Sequence, residues 1–459
     1  MTMQQYRTQN PVNDEIVATY DFATDADINT ALDDSAQAFK TWSKKSFEER
    51  AEVVHRVADL MLERRVELAQ IAAQEMGKRM GEAVGEVKYC ASILKYYADN
   101  GADFAADQEI PTNSPGKAVI RRLPLGTLLG VMPWNFPFYQ VARFIAPNLM
   151  LGNTILLKHA EICAGSASAI QTLLNDAGVP KGVYINLFAT HDQVAEIIAD
   201  NRVHGVSLTG SERAGEIIAA NAGKNLKKTV LELGGNDPYI ILDTDNVAEA
   251  ASQAWWTRMS NTGQSCTSNK RLIVHEDIYD EFVEELVKLA QQMTPGTPDD
   301  RDAAKYCPLS SRDAAERLAK QIEKASSNGA TVRAGGVIAD VGAYYSPTVL
   351  TDIPMDSESF HEEFFGPVAS VYKFSTDDEA IAIANDSLFG LGGSVFSTDT
   401  ERAQKVAAEI ETGMMAVNAP GTAGAEMPFG GIQRSGYGRE LGPLGMDEFV
   451  NKQLFYVAD

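Results

Sequence analysis

Cysteine is scarce in this chain, and its placement excludes several chemistries. Four occur in 459 residues, at Cys90, Cys163, Cys266 and Cys307. No two are close in sequence, so no CxxC pair is available to hold a metal or run redox exchange. Free thiols in a reducing compartment fit this pattern. The six histidines are scattered without HExxH or similar ligand spacing, and no metal is expected. Positive charge is also in deficit, with 40 Lys and Arg against 63 Asp and Glu, for a net charge of -23. A surface of that sign repels phosphate backbones, so nucleic acid is not an expected partner. No run of 18 or more apolar residues occurs, and the greasy stretch 141–157 is interrupted by Arg143 and Asn153. The opening MTMQQYRTQNPVNDE has no basic segment followed by an apolar one. A cytoplasmic protein without membrane contact is therefore expected.

What is present is ordinary globular composition, 44% hydrophobic and 22% charged. The length calls for two or three domains. From about residue 25 to 100 the pattern reads as helices, with apolar residues at helical spacing among Glu, Arg and Lys. After Ser114-Pro115-Gly116 the texture changes. Short apolar runs at 126–132, 153–157, 183–188, 205–208 and 229–231 read as buried strands. Helical stretches at 164–177, 193–199 and 214–222 lie between them. This alternation predicts an α/β fold with a parallel sheet. A second α/β unit begins near 238–242, and the tail 448–457 returns to a strand-like pattern.

Four segments carry chemistry. In Asn261-Thr-Gly-Gln-Ser-Cys266, small polar neighbours allow a tight loop around a nucleophilic thiol, which needs its thiolate exposed and stabilised. Alone, a cysteine in a polar loop is more often structural. Glu232, in Leu-Glu-Leu-Gly-Gly, follows a buried strand, and ligands of open α/β sheets bind at that end. Partial burial raises a carboxylate's pKa and suits it to general-base work, although a capping or salt-bridged glutamate is the commoner case. In Pro133-Trp134-Asn135-Phe136-Pro137 two prolines pin an amide able to donate to a developing oxyanion. The plain reading is a rigid turn. Leu208-Thr209-Gly210-Ser211 crosses from strand to helix and offers free N–H groups to an anion. It is not GxGxxG, and a plain Ser N-cap explains it as well.

Together these segments say more than each does apart. PWNFP at Asn135, LTGS at Gly210, LELGG at Glu232, NTGQSC at Cys266, EEFFGP at Glu363 and PFGGIQRSGYGRELG from Pro428 occur in one order. In that order they resemble the aldehyde dehydrogenase superfamily over nearly the whole chain. The likeness is greatest to its bacterial succinate semialdehyde dehydrogenases.

The resemblance implies an NAD(P)-binding Rossmann-like domain (1–100 and 125–234), an α/β catalytic domain (235–441) and a β oligomerisation arm (101–124 and 442–459). It implies a homodimer or homotetramer. It assigns Cys266 as nucleophile, Glu232 as the base that activates water, and Asn135 with the Cys266 N–H as oxyanion donors. For the cofactor it assigns Lys158 and Glu161 to the adenosine ribose, and Gly210 and Ser211, near Gly215, to the pyrophosphate. Glu363 and Phe365 hold the nicotinamide side, with Pro133, Trp134 and Leu233 alongside. A carboxylate at Glu161 would accept from both ribose hydroxyls and repel a 2′-phosphate, so NAD is the expected preference. Lys158 leaves NADP possible. Arg143, two helical turns past Asn135, matches an arginine that binds the substrate carboxylate in succinate semialdehyde dehydrogenases. Phe429 is expected in the same tunnel. The expected substrate is thus a small aldehyde bearing a carboxylate.

There are departures from the family pattern. Some semialdehyde dehydrogenases carry a second arginine six residues before the nucleophile, where this chain has Ser260, and Arg258 is out of register. Ala189-Thr190-His191-Asp192 replaces glycines near the cofactor. Cys90 and Cys163 are expected in the core and Cys307 in a loop. The alternatives are an enzyme for other short or aromatic aldehydes, a Cys-dependent esterase, and an idle binding protein on the same fold. NADH formation separates the redox readings from the last two.

Overall fold

The computed structural model describes residues 5–459; the first four residues of the N-terminal stretch lie outside it. Strands Thr127–Met132, Thr154–His159, Tyr184–Asn186, Val203–Thr209 and Lys228–Glu232 form a parallel sheet. Because successive side chains point to opposite faces, each strand feeds two cores. Leu128, Ile155, Leu157 and Val230 pack with helices Phe47–Glu63, Met80–Phe104, Tyr139–Leu151 and Ala164–Asp176. Leu129, Leu156, Val206, Leu208 and Leu231 pack on the other side with helices His191–Ala199 and Glu212–Lys224. A sixth strand, Gly436–Tyr437, falls in the stretch assigned on sequence to the second unit. It nevertheless pairs antiparallel with this sheet, Gly436 opposite Glu232.

The second sheet has seven strands. Pro238–Ile241, Arg271–His275, Thr348–Thr351, Val368–Phe374, Ser394–Phe396 and Ala416–Val417 are parallel, and Thr331–Ala334 closes one edge antiparallel. It too is covered on both faces. A third sheet joins Gln108–Ile110, Lys117–Pro124 and Val450–Val457, with Val450 opposite Pro124 and Val457 opposite Lys117. Leu454, Phe455, Tyr456 and Val457 are exposed on its edge strand. An N-terminal hairpin, Tyr6–Gln9 with Ile16–Tyr20, had no counterpart in the sequence pattern. No helix among the described residues is long and apolar enough to cross a membrane.

The helix Tyr139–Leu151 begins under the control of a buried charge. Glu86 accepts the N–H groups of Phe138 (2.8 Å) and Tyr139 (3.0 Å), standing in for the missing N-cap side chain. Lys78 is fully buried against Glu86, and its ammonium lies 3.8 Å from the centre of the Phe136 ring. Glu86→Ala leaves that ammonium and two N–H groups unanswered. We expect it to lower stability by about 3–5 kcal/mol, seen as a fall in the thermal midpoint by scanning calorimetry. An unchanged midpoint would show the pair contributes little.

Candidate active site

Asn135 does not share a helix with Arg143. Pro137 and the turn before it delay the helix to Tyr139, so Asn135 sits in the connection from strand to helix. There it is buried beside the loop that carries Cys266. Its Nδ2 donates to the Gln264 carbonyl at 3.2 Å, and its Oδ1 has no partner among the described residues. Asn261 Nδ2 donates in turn to the carbonyls of Asn135 (2.9 Å) and Gln264 (3.1 Å).

The loop itself is tightly wound. Asn261, Thr262 and Gly263 take φ of 50°, 53° and 71° in succession, the left-handed region that non-glycine residues seldom adopt. A Cβ on Gly263 would collide with the Gly366 carbonyl. Arg258, fully buried, holds the turn. It donates to Gly263 O (3.0 Å) and Ser268 Oγ (2.9 Å) within the loop. It also donates to Phe364 O (2.7 Å), Gly366 O (2.6 Å) and Val368 O (2.7 Å) across from it.

Cys266 opens onto a cavity of about 370 Å³ lined in part by Tyr139, Gln140, Ser260, Thr267, Thr422 and Phe429. Burial pushes its thiol up to about 11, against the pull of Arg143 and Lys270 and with the push of Asp237 and Glu232. The sequence reading called for a stabilised thiolate. The structure instead keeps a thiol at neutral pH, because desolvation outweighs the two cations. Glu232 ends its strand fully buried, with neither carboxylate oxygen partnered among the described residues. Burial first, and Glu440 further, hold it well above the usual carboxylate range despite Arg143. A Cβ on Gly430 would meet its Oε1 at 2.7 Å, which explains the glycine there.

The residues expected at the cofactor lie at or just after the carboxyl ends of strands in the first sheet. Ser211 caps the Glu212–Lys224 helix, accepting the Ala214 N–H at 3.4 Å. Gly210 N–H donates to the Glu232 carbonyl at 3.0 Å. A Cβ on Gly215 would come within 2.7 Å of Leu233, so the glycine lets helix and strand end meet. Lys158 and Glu161 face each other at 3.7 Å, with His191 3.9 Å from Glu161. At the other end Phe365 stands edge-on to Trp134, which follows Pro133 after the first strand, at 5.7 Å. Glu363 accepts the Gly235 N–H at 3.1 Å and pairs with Lys270 at 3.1 Å.

Arg143 is fully buried and is not open to the cavity. It is paired with Glu440. Its guanidinium lies 4.2 Å from the Phe429 ring centre and 5.1 Å from that of Tyr139, both of which line the cavity. It donates weakly to the Tyr139 hydroxyl at 3.4 Å and to Thr209 Oγ1 at 3.3 Å. A guanidinium this deep needs a counter-charge, and Glu440 supplies it. Cys90 and Cys163 are buried as expected, and Cys307 lies in a loop but is buried as well.

Three residues not singled out from the sequence are part of this assembly, Lys270, Glu440 and Tyr139, together with Arg258, which on sequence stood only as an arginine out of register. Tyr139 had a signal, four residues before Arg143 on one helix face. Arg258 and Lys270 flank the nucleophile at close range, and their burial alone marks them out. Glu440 lies 297 positions from Arg143 in sequence, and only the tertiary fold pairs them.

A family model described as the aldehyde dehydrogenase family matches residues 1–454. The chain is 49% identical to a Deinococcus radiodurans protein named succinate-semialdehyde dehydrogenase, NADP(+), over 98% of this chain and 94% of that one. It is 40% identical to a Synechocystis protein named probable succinate-semialdehyde dehydrogenase, NADP(+), over 98% and 99%. A crystal structure of the succinic semialdehyde dehydrogenase of Streptococcus pyogenes in complex with NADP+ matches with a TM-score of 0.96 at 44% identity, covering 99% of this chain and 100% of that one. With a family model spanning almost its full length and these relatives aligned end to end, the chain belongs to the aldehyde dehydrogenase family.

Proposed function

We propose that this enzyme oxidises succinate semialdehyde to succinate with NADP+, through a thioester on Cys266. The observation that carries the reading is the wall of the Cys266 cavity. Tyr139 accepts from Arg143, which leaves its own O–H free to donate into the cavity toward a substrate carboxylate. The carboxylate is thus met through Tyr139, with the Arg143 charge behind it, rather than by Arg143 directly. The names of the relatives point the same way.

The strand ends suit a dinucleotide: they offer the N-terminus of a 13-residue helix at Ser211 and a buried ammonium at Lys158 whose acid partner is 3.7 Å away. Lys158 and Glu161 would hold the adenosine ribose, Gly210 and Ser211 the pyrophosphate, and Glu363 and Phe365 the nicotinamide side. On sequence Glu161 favours NAD. Its carboxylate is partly answered by Lys158, so its repulsion of a 2′-phosphate is blunted, and these relatives carry NADP in their names or titles. We therefore assign NADP+ as the preferred cofactor, with NAD+ accepted. The exposed apolar edge strand at 450–457 is assigned to contact with a second copy of the chain.

A bound nicotinamide would supply the hydride acceptor. Cys266 loses its thiol proton to solvent through the cavity, and the thiolate adds to the aldehyde carbon. One N–H of Asn135 is held by Gln264 O, and the other, with the Cys266 N–H, receives the oxyanion. Loss of hydride leaves the acyl group on Cys266 as a thioester. Glu232, in its ionised form, then takes a proton from water as it attacks the thioester carbon and passes that proton to the departing sulfur, so the carboxylic acid leaves with Cys266 restored as a thiol.

Cys266→Ser is expected to cut turnover by at least about 10³-fold, measured as NADPH formation at 340 nm. Glu232→Gln is expected to give a burst of about one NADPH per subunit and then stall, because acylation survives and hydrolysis does not. Full steady-state turnover in either variant would sink the scheme. Tyr139→Phe is expected to raise KM for succinate semialdehyde about tenfold while leaving a neutral aldehyde such as butanal unaffected. Equal effects on both would remove the carboxylate assignment. The pH dependence has a definite sign. With the thiol near 11, the thiolate fraction grows with pH, so alkylation of Cys266 by iodoacetamide in the cofactor-free protein should rise about tenfold per pH unit from 7 to 10. A plateau below pH 9 would show that the cations prevail over burial.

A further inference from the structure

Lys158 is buried at the end of its strand, and its one salt bridge among the described residues is loose, with Glu161 at 3.7 Å. What else lies against it comes from the N-terminal hairpin. The ammonium stands over the Tyr6 ring, 5.4 Å from its centre. Tyr6 is wholly buried, and the rings of Phe22 and Phe188 pack against it at 5.2 and 5.1 Å, which fixes its plane. Burial first, and Glu161 further, hold its phenol well above the ordinary range, so it remains a donor. The hydroxyl donates to the Ala189 carbonyl at 2.8 Å. That carbonyl opens the run Ala189-Thr190-His191-Asp192, where this chain departs from the glycines of its family.

The hairpin that carries Tyr6 is tied down at two places. Its turn lies against the second α/β unit, where Pro11 O accepts the Ala343 N–H at 2.8 Å and Asp14 accepts the Gly342 N–H at 3.1 Å. Tyr6 is its anchor in the first unit. The ring is therefore a fixed wall beside a flexible cation. An ammonium on a four-carbon stem can turn toward Glu161 or toward a ligand. A ring face attracts it from a further direction and uses none of its three hydrogen bonds. The charge is thus kept close to Glu161 without being spent on it.

We propose that Tyr6 is a positioning residue for the cofactor: its ring holds the Lys158 ammonium off Glu161 and available to the 2′-phosphate, and so sets the ranking of NADP+ over NAD+. This rests on the reading of Lys158 as a ligand at the adenosine ribose. Tyr6 acts through Lys158 and touches neither cofactor nor substrate.

The test is the Kd of NADP+ and of NAD+, measured by quenching of intrinsic fluorescence on the full-length protein. Tyr6→Leu should weaken NADP+ about three- to tenfold and change NAD+ by less than about twofold. Tyr6→Phe should keep the wild-type ratio of the two constants, because the ring is retained and loss of the Ala189 bond falls on both cofactors alike. Pentafluorophenylalanine at position 6 has the shape of phenylalanine but a ring face that repels cations. It should shift the ratio as Tyr6→Leu does, and it keeps the question answerable if the leucine variant folds poorly. In a Lys158→Met background none of these changes should move the ratio. A wild-type ratio with pentafluorophenylalanine, or an equal shift in the Lys158→Met background, would overturn the proposal. Lys158→Met alone separates the two readings. If it binds NADP+ as wild type does, Lys158 is no cofactor ligand and the part given to Tyr6 goes with it. If it weakens NADP+ while the changes at Tyr6 do not, Lys158 keeps its role and Tyr6 loses its own.

Discussion

Arg258 carries a full positive charge into the interior and meets carbonyls and one hydroxyl there. Its hydrogen bonds fall on both sides of the site, at Gly263 and Ser268 in the nucleophile loop and at Phe364, Gly366 and Val368 opposite. The loop between Met259 and Arg271 contains residues in a backbone region that non-glycine side chains disfavour. Such a conformation persists only where its surroundings over-determine it. Arg258 provides that constraint, and the position of Cys266 relative to Asn135 and Glu363 follows from it. The planar fork of a guanidinium suits the task, since it can reach several carbonyls at fixed angles where an ammonium cannot.

Around this anchor the site is electrostatically unusual. Burial pushes the Cys266 thiol and the Glu232 carboxyl up from their ordinary values, and the cations near them are largely matched by Glu440 and Glu363. Of the two ion pairs, the one made by Glu363 is the more exposed. The cost of leaving any of these charges unpaired is high in a low-dielectric interior, so small changes of partner have large effects.

The substrate wall illustrates the same economy of charge. A bare arginine facing a narrow cavity would have to be desolvated without a partner. Pairing it with Glu440 and placing Tyr139 and Phe429 against it avoids that, at the expense of direct contact with the ligand. A phenol hydroxyl that accepts from a guanidinium is a better donor for the next acceptor along, because hydrogen bonds in series polarise one another. The two rings also keep the cavity apolar on its flank, which suits the short methylene chain of an ω-oxo acid.

The sequence by itself determined the layered α/β architecture. Strand and helix signals alternate at the right lengths, and residues that alternate along Thr127–Met132 and its neighbours feed two separate cores. Cys266, Glu232 and Asn135 stand out only through the order of six motifs along the chain, since each local pattern alone has a commoner structural use. What it could not decide was the state of those groups. The helix after the Asn135 turn has its first N–H groups capped by Glu86, 52 positions before Phe138. Glu440 meets Arg143, Glu363 meets Lys270, and Gly436 joins the first sheet from the far end of the chain only once the fold brings them together. Ionisation and ion pairing depend on burial and on distances of a few ångströms. Those are properties of the tertiary structure, and residue order along the chain does not contain them in any local form.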